Sequence, residues 1–385
     1  MKGRRPAVDD SAVLIEGPWQ HRFVDANGVR FHVVEMGSGP LILLLHGFPE
    51  FWWTWQHQIP ALAEAGYRVA AVDLRGYGAS DKPPDGYDVY TMASDITGLI
   101  RALGERDAVV VGHDLGGTLG FAAAGFHPRS FRRLVVLSSA HPLRQRAALA
   151  VDPRGQLSAS RHLLAFQLPR YEHVVTRDDA AMVASLMRHW AGHAWRDTPE
   201  FHRYVRACRD AIQLPQAAFC ALEAYRWALR NVLRVSGRRY VKLLQEPLKV
   251  PTLQLHGERD RCVLPRTAQG SGRYVAANYE WRVLKDIGHF PQLESPNLVT
   301  AEILRWCKEL SPCTTRAELV QPDGMVVSRR RPEVIDRSSD DDSSRTDTGR
   351  RVLWRELGAG LGVLTPIDLD PVVHGCDAVP PNEVV

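Results

Sequence analysis

The chain has 385 residues, of which 45% are hydrophobic, so it can bury a sizeable core; a formal charge of +4 is too small at this length to argue for nucleic acid. It holds no run of about 18 apolar residues, and Met1-Lys-Gly-Arg-Arg-Pro6 leads into acidic residues rather than an apolar signal core. Neither an integral membrane segment nor an export signal is expected, and a cytoplasmic location is the default.

Phe23 to Glu35 reads as a hairpin turning at Ala26 or Asn27-Gly28. Strand-like runs near Leu41, Val69, Val109 and Leu134 then alternate with helical stretches, the pattern of a mostly parallel, twisted sheet flanked by helices. In such sheets ligand chemistry falls at the carboxyl ends of the strands. Leu41 to Leu45 runs into the tight loop His46-Gly47-Phe48-Pro49-Glu50. Ala108 to Val111 runs into Gly112-His113-Asp114-Leu115-Gly116 and an Ala-rich helical stretch to about Phe126, a strand, elbow and helix. From about Leu143 to Glu246 strand patterning gives way to helix. Strands then return at Pro251-Thr-Leu-Gln-Leu-His256-Gly-Glu-Arg-Asp260 and at Trp281 to Leu284, the latter followed by Lys285-Asp-Ile-Gly288-His289-Phe290-Pro291 and a helix from Ser295 to Leu310. The expected organisation is a core in two parts, 18–142 and 247–310, with a helical lid over 143–246 inserted between them.

Beyond Ser311 the chain becomes charged and Ser-rich, as in Arg337 to Arg351, and cannot bury enough apolar surface to fold. Residues 311–385 are expected to be a disordered tail with one short ordered piece around Val352 to Leu364, dispensable for activity. Cys208, Cys220, Cys262, Cys307, Cys313 and Cys376 are scattered without close pairing and read as free thiols. With no Cys-x-x-Cys, His-Glu-x-x-His or phosphate-cradling loop, no metal and no cofactor is expected.

The chemistry turns on Asp114, which occupies the elbow position where a hydrolase ordinarily carries serine. A carboxylate is already anionic and needs no base to attack. Attack on an acyl carbon gives a mixed anhydride, whereas attack on an alkyl carbon gives an ordinary ester, so an sp3 carbon is the expected target. Hydrolysis of that ester calls for His289 as base, Asp260 to orient it, and backbone N–H groups of Phe48 and Leu115 as an oxyanion hole. Glu258 is the weaker candidate for the acid, and His113 shapes the elbow. Any one of these residues alone reads as a turn or cap; four motifs in the order nucleophile, acid, histidine, each ending an apolar run, do not.

His46-Gly-Phe-Pro-Glu-Phe-Trp52-Trp-Thr-Trp55, Asp73-Leu-Arg-Gly76-Tyr-Gly78-Ala-Ser80 and Gly288-His-Phe290, together with the elbow, resemble the epoxide hydrolases of the α/β-hydrolase superfamily from about Pro18 to Leu310. The resemblance implies that fold, a small apolar epoxide and water as reactants, and a pocket lined by His46, Gly47, Pro49, Trp52, Trp53, His113 and Phe166. The family carries two lid tyrosines that protonate the epoxide oxygen, because an alkoxide is a poor leaving group. Tyr225 in Ala224-Tyr225-Arg226-Trp227 resembles one. Near Phe166-Gln-Leu-Pro169 the other position holds His162, which either replaces the donor or is a solvated lid residue beside a Tyr225 acting alone; Tyr171 and Tyr204 are fallbacks. Leu115 stands where haloalkane dehalogenases carry a halide-gripping tryptophan, and Leu115 and Thr118 where fluoroacid dehalogenases carry arginines. Dehalogenation, with Trp52 or Trp53 as halide donor, and non-catalytic ligand binding are the alternatives. Nothing in the sequence sets an oligomeric state.

Overall fold

Asn27 and Gly28 both take positive φ and close a two-residue turn whose twist matches that of paired strands. They join β1 (Gln20–Ala26) to β2 (Val29–Met36) with Ala26 opposite Val29. This computed structural model describes residues 8–308 apart from Leu233, so the expected tail and its ordered piece lie outside the described residues.

The sheet has eight strands. After the hairpin come β3 (Leu41–Leu45), β4 (Arg68–Val72), β5 (Ala108–His113), β6 (Phe131–Leu137), β7 (Thr252–Gly257) and β8 (Tyr279–Leu284), in the spatial order β1-β2-β4-β3-β5-β6-β7-β8. β2 pairs antiparallel to β4, and every later pairing is parallel. Every residue of β3, β5 and β7 is buried, which is why β3 and most of β5 read as unbroken apolar runs, while β7 buries the polar Thr252, Gln254 and His256 as well. β3 lies against β5 with Leu45 opposite Gly112, so the loop from His46 and the elbow at Asp114 leave the sheet side by side. Gly116 N–H donates to His46 O at 3.1 Å and fastens the two loops together.

Helices cover both faces and the carboxyl end. α1 (Gln58–Glu64), α2 (Val89–Ala102) and α3 (Leu115–Phe126) belong to the first half of the core. Between β6 and β7 come seven helices: α4 (Pro142–Val151), α5 (Gln156–Ala159), α6 (Arg161–Ala165), α7 (Glu172–Trp190), α8 (Pro199–Ile212), α9 (Ala217–Arg230) and α10 (Val235–Gln245). α7 is broken at Arg177–Ala180, where Asp178, Asp179 and Ala180 take positive φ, and Arg209 of α8 bridges the break to Asp179 at 2.6 Å. α11 (Pro265–Gln269), α12 (Pro291–Glu294) and α13 (Pro296–Lys308) complete the core. No helix among the described residues is long and apolar enough to cross a membrane. Cys208, Cys220, Cys262 and Cys307 are free and buried.

Candidate active site

The elbow sets the position of Asp114. At the N-cap of α3 an aspartate ordinarily accepts from its own helix, but Asp114 has φ 48° and ψ −111° and makes no such bond. The strained backbone turns the carboxylate away from the helix and toward the loop after β3. Gly112 is obligatory in this turn, since a Cβ there would stand 2.4 Å from Gly116 O. Gly47 is obligatory opposite, where a Cβ would stand 2.5 Å from that of Asp114. Oδ2 of Asp114 accepts from the Phe48 N–H at 3.1 Å and from the Tyr225 hydroxyl at 3.3 Å, while Oδ1 is 3.8 Å from His289 Nε2. Leu115 is the first residue of α3, where backbone N–H groups have no partner within the helix.

His289 and Asp260 meet from the ends of β8 and β7. His289 Nδ1 is 2.9 Å from Asp260 Oδ2, and Asp260 Oδ1 accepts from the Cys262 and Val263 N–H groups at 2.8 and 3.0 Å. Burial opposes charge on Asp260, but His289 and His256 outweigh it and hold the carboxyl well below its ordinary range. Burial is likewise the largest single influence on His289 and opposes its charge; the Asp260 carboxylate and the Cys262 sulfur overcome it and raise the imidazole's pKa well above the usual value. Glu258 is exposed and accepts from the Asp286 N–H at 3.1 Å, so it takes no part in this pair.

Behind these groups lies a buried network around Glu50, a residue for which motif order gave no functional signal. Glu50 accepts from Gly47 N–H (3.1 Å), Thr54 Oγ1 (2.8 Å) and Tyr204 Oη (2.9 Å) and lies 2.6 Å from His113 Nδ1. His113 Nε2 in turn meets the His289 carbonyl at 2.7 Å. Burial pushes the Glu50 carboxyl up, and His113 and Thr54 more than reverse this, holding it at about 2. One carboxylate thus fixes the loop after β3, the elbow and the histidine loop. Glu294 adds a second tie, accepting from Gly192 of the α7–α8 segment and from Gly288 and Phe290 on either side of His289.

Asp114, Leu115, Phe48, Tyr225 and His162 face one largely apolar cavity of about 220 Å³ between sheet and helices. The wall differs from the one expected. His46, Gly47, Pro49 and His113 do not line it: His46 accepts from Leu74 N–H at 3.0 Å and His113 is spent on Glu50. Trp52, Trp53 and Phe166 also stand behind it. Trp52 Nε1 donates to Val13 O at 2.7 Å, which removes it as a halide donor, Trp53 packs on Tyr204, and Phe166 backs Phe48 and Tyr225. Of the fallback tyrosines, Tyr204 gives its hydroxyl to Glu50 and Tyr171 is not a lining residue. Trp190 and Cys262, which carried no motif signal, are lining residues; the signal for Cys262 was its place two residues beyond Asp260.

The two lid groups differ. Tyr225 is half-buried on the cavity wall, and desolvation together with the neighbouring Asp114 charge raises its pKa well above the ordinary value, so the phenol keeps its proton. Burial lowers His162 to about 4 despite the pull of Asp114, leaving it neutral near pH 7. A neutral imidazole carries one N–H and one acceptor nitrogen.

A fold with parallel strands delivering a carboxylate elbow, an acid and a histidine to one lidded cavity defines a class, and comparison with known proteins agrees. Residues 40–296 match the family model for the alpha/beta hydrolase fold. The chain is 32% identical to the AB hydrolase superfamily protein YfhM of Bacillus subtilis, over 74% of this chain and 97% of that one. It is 31% identical to epoxide hydrolase 4 of Mus musculus, over 74% of this chain and 77% of the other. A crystal structure of an epoxide hydrolase variant from Bacillus megaterium superposes with a TM-score of 0.64 at 26% identity, covering 74% of this chain and 99% of that one. The chain belongs to the α/β-hydrolase superfamily and, within it, to the epoxide hydrolase family. It is a hydrolase.

Proposed function

We propose that this hydrolase opens small apolar epoxides to vicinal diols through an ester on Asp114, without a cofactor. The observation that carries the reading is a carboxylate 3.3 Å from a protonated phenol and 3.8 Å from an imidazole backed by a second carboxylate. An oxygen of Asp114 attacks a ring carbon, the ring C–O bond breaks, and Tyr225 gives its proton to the departing oxygen. Tyr225 rather than His162 is given this role because its hydroxyl already reaches Asp114, at 3.3 Å. The ester's carbonyl oxygen rests against the N–H groups of Phe48 and Leu115. His289, acting in its neutral form, takes a proton from water, the hydroxide adds to the Asp114 acyl carbon, and the tetrahedral intermediate collapses. The released alkoxide takes the proton from His289, and Asp114 returns its acid proton to the Tyr225 phenolate. The balance is epoxide plus water to diol. Residues 18–142 and 247–310 form the catalytic body and 143–246 the lid.

A single turnover of an aryl epoxide in heavy-oxygen water tests the mechanism. The incoming water attacks the acyl carbon, so the label is expected in Asp114 and the first diol is unlabelled. Asp114→Ala abolishes turnover. Label in the diol alone means direct attack of water on the ring and overturns the ester route. Halide release from haloalkanes without diol formation selects a dehalogenase instead, and tight ligand binding without product selects a binding protein.

A further inference from the structure

Cys262 sits in this site without a part in the reaction. Its N–H belongs to the turn that holds Asp260 Oδ1, so the same turn that fixes the acid brings a thiol to the cavity wall. The Cys262 sulfur, an Asp114 carboxylate oxygen and a ring nitrogen of His289 lie within 4.8 Å of one another. Nδ1 of His289 is engaged by Asp260, which leaves Nε2. That nitrogen is buried in a side chain 0% exposed, has no hydrogen-bond partner, and points to within 3.8 Å of Asp114 Oδ1.

Sulfur, imidazole nitrogen and carboxylate oxygen are the donor types that zinc takes, with bonds of about 2.0–2.3 Å that put tetrahedral ligands roughly 3.3–3.8 Å apart. The Asp114–His289 separation of 3.8 Å already has that value, and the sulfur lies within 4.8 Å of a donor atom of each. Asp260 on Nδ1 is the outer partner that metal-bound histidines ordinarily have. Two of the three donors, Asp114 and Cys262, line the cavity.

We propose that Asp114, Cys262 and His289 form a binding site for a thiophilic divalent cation, Zn²⁺ or Cd²⁺, which excludes substrate. On binding, the S–H bond of Cys262 breaks, a sulfur–metal bond forms, and the thiol proton leaves to solvent together with any proton on Nε2; no electron is transferred. Soft and borderline cations are selected because Mg²⁺ and Ca²⁺ prefer oxygen-only shells. The loss of turnover on metal binding rests on the function proposed above, since nucleophile and base become ligands; the binding itself does not.

The full chain, stripped with chelator, is titrated with Cd²⁺ while thiolate-to-cadmium absorbance is followed, and with Zn²⁺ by calorimetry. One equivalent is expected whose absorbance is missing from Cys262→Ser, and from Cys262→Ala should the serine variant misfold. Asp114→Asn should weaken binding by at least about 10-fold, the lower bound for loss of even an outer-shell partner. In the enzyme assay Zn²⁺ inhibits the unmodified chain in competition with epoxide, and its inhibition constant rises by a similar factor in Cys262→Ser. Cadmium absorbance unchanged in both Cys262 variants, or affinity indifferent to Asp114→Asn, overturns the site. Cd²⁺ bound through Cys262 in a protein that never opens an epoxide supports the site and sinks the function; turnover with no Cys262-dependent Cd²⁺ binding does the reverse.

Discussion

At the residue scale, the two halves of the reaction separate into different side chains. In the proposed reaction His289 acts only after the ester exists, so His289→Gln should still be alkylated. The expected result is an Asp114 peptide carrying the mass of one substrate, with steady-state turnover down by roughly 10²–10⁴-fold, the usual worth of a general base. Absence of that adduct together with lost turnover would mean that His289 is needed for attack itself. Tyr225 and His162 are told apart in the first half. Tyr225→Phe should slow alkylation by about 10²-fold or more, whereas His162→Phe changes it little, because it is the Tyr225 hydroxyl that reaches Asp114. Equal losses in pre-steady-state alkylation would make His162 a second donor. The sequence placed Tyr225 and His162 on the lid from motif likeness, but only the folded chain shows that it is the Tyr225 hydroxyl that reaches Asp114.

At the element scale, the lid is held to the core by a few buried polar ties as well as by apolar packing. Tyr204 of α8 reaches down to the Glu50 carboxylate at 2.9 Å, and both side chains are buried. A buried bond to a charged acceptor is worth about 1.5–3 kcal/mol, so Tyr204→Phe should lower unfolding stability by that amount in urea. A change below about 0.5 kcal/mol, the range of ordinary surface substitutions, would show that the helix is anchored by packing alone. Apolar periodicity announced helices between Leu143 and Glu246, and seven helices lie there. The break in α7 at Arg177–Ala180 was not legible, since no proline or glycine marks it and its stabilising partner, Arg209, comes from the next helix.

At the scale of the whole molecule, the buried titratable groups set the response to acid. Burial lowers the pKa of His46, of His141 to about 3, and of His162 to about 4. Each is depressed in the folded state, so each takes up its proton more readily when unfolded; the stability it contributes is full above the unfolded value near 6.5 and drains away as pH falls below it. For His141 and His162 the expected slope between pH 6 and 5 approaches about 1.4 kcal/mol per pH unit each, and His46 acts in the same direction. His289, whose pKa is raised, is charged in both states there and adds nothing to the slope. Glu50, held at about 2, contributes its stability in full across this range and loses it only as pH falls through the ordinary carboxyl value toward 2. Urea unfolding at pH 7, 6 and 5 checks this; a stability flat across that range means that these imidazoles are not held neutral.

The sequence by itself determined the strands, the elbow and the order of the reactive groups. Those are local matters: an unbroken apolar run such as Leu41 to Leu45 has to be a buried strand, and glycines flanking Asp114 admit a turn that other residues forbid. Only the tertiary structure decided what faces the cavity. Trp52 and Trp53 neighbour the loop after β3 in sequence yet pack behind it, while Trp190 and Cys262, remote from Asp114 along the chain, stand in front. Glu50 gained its importance the same way, from Tyr204, His113 and Gln292 converging on one buried carboxylate. A side chain's facing depends on contacts made across many residues of chain, and no local pattern records which partners those will be.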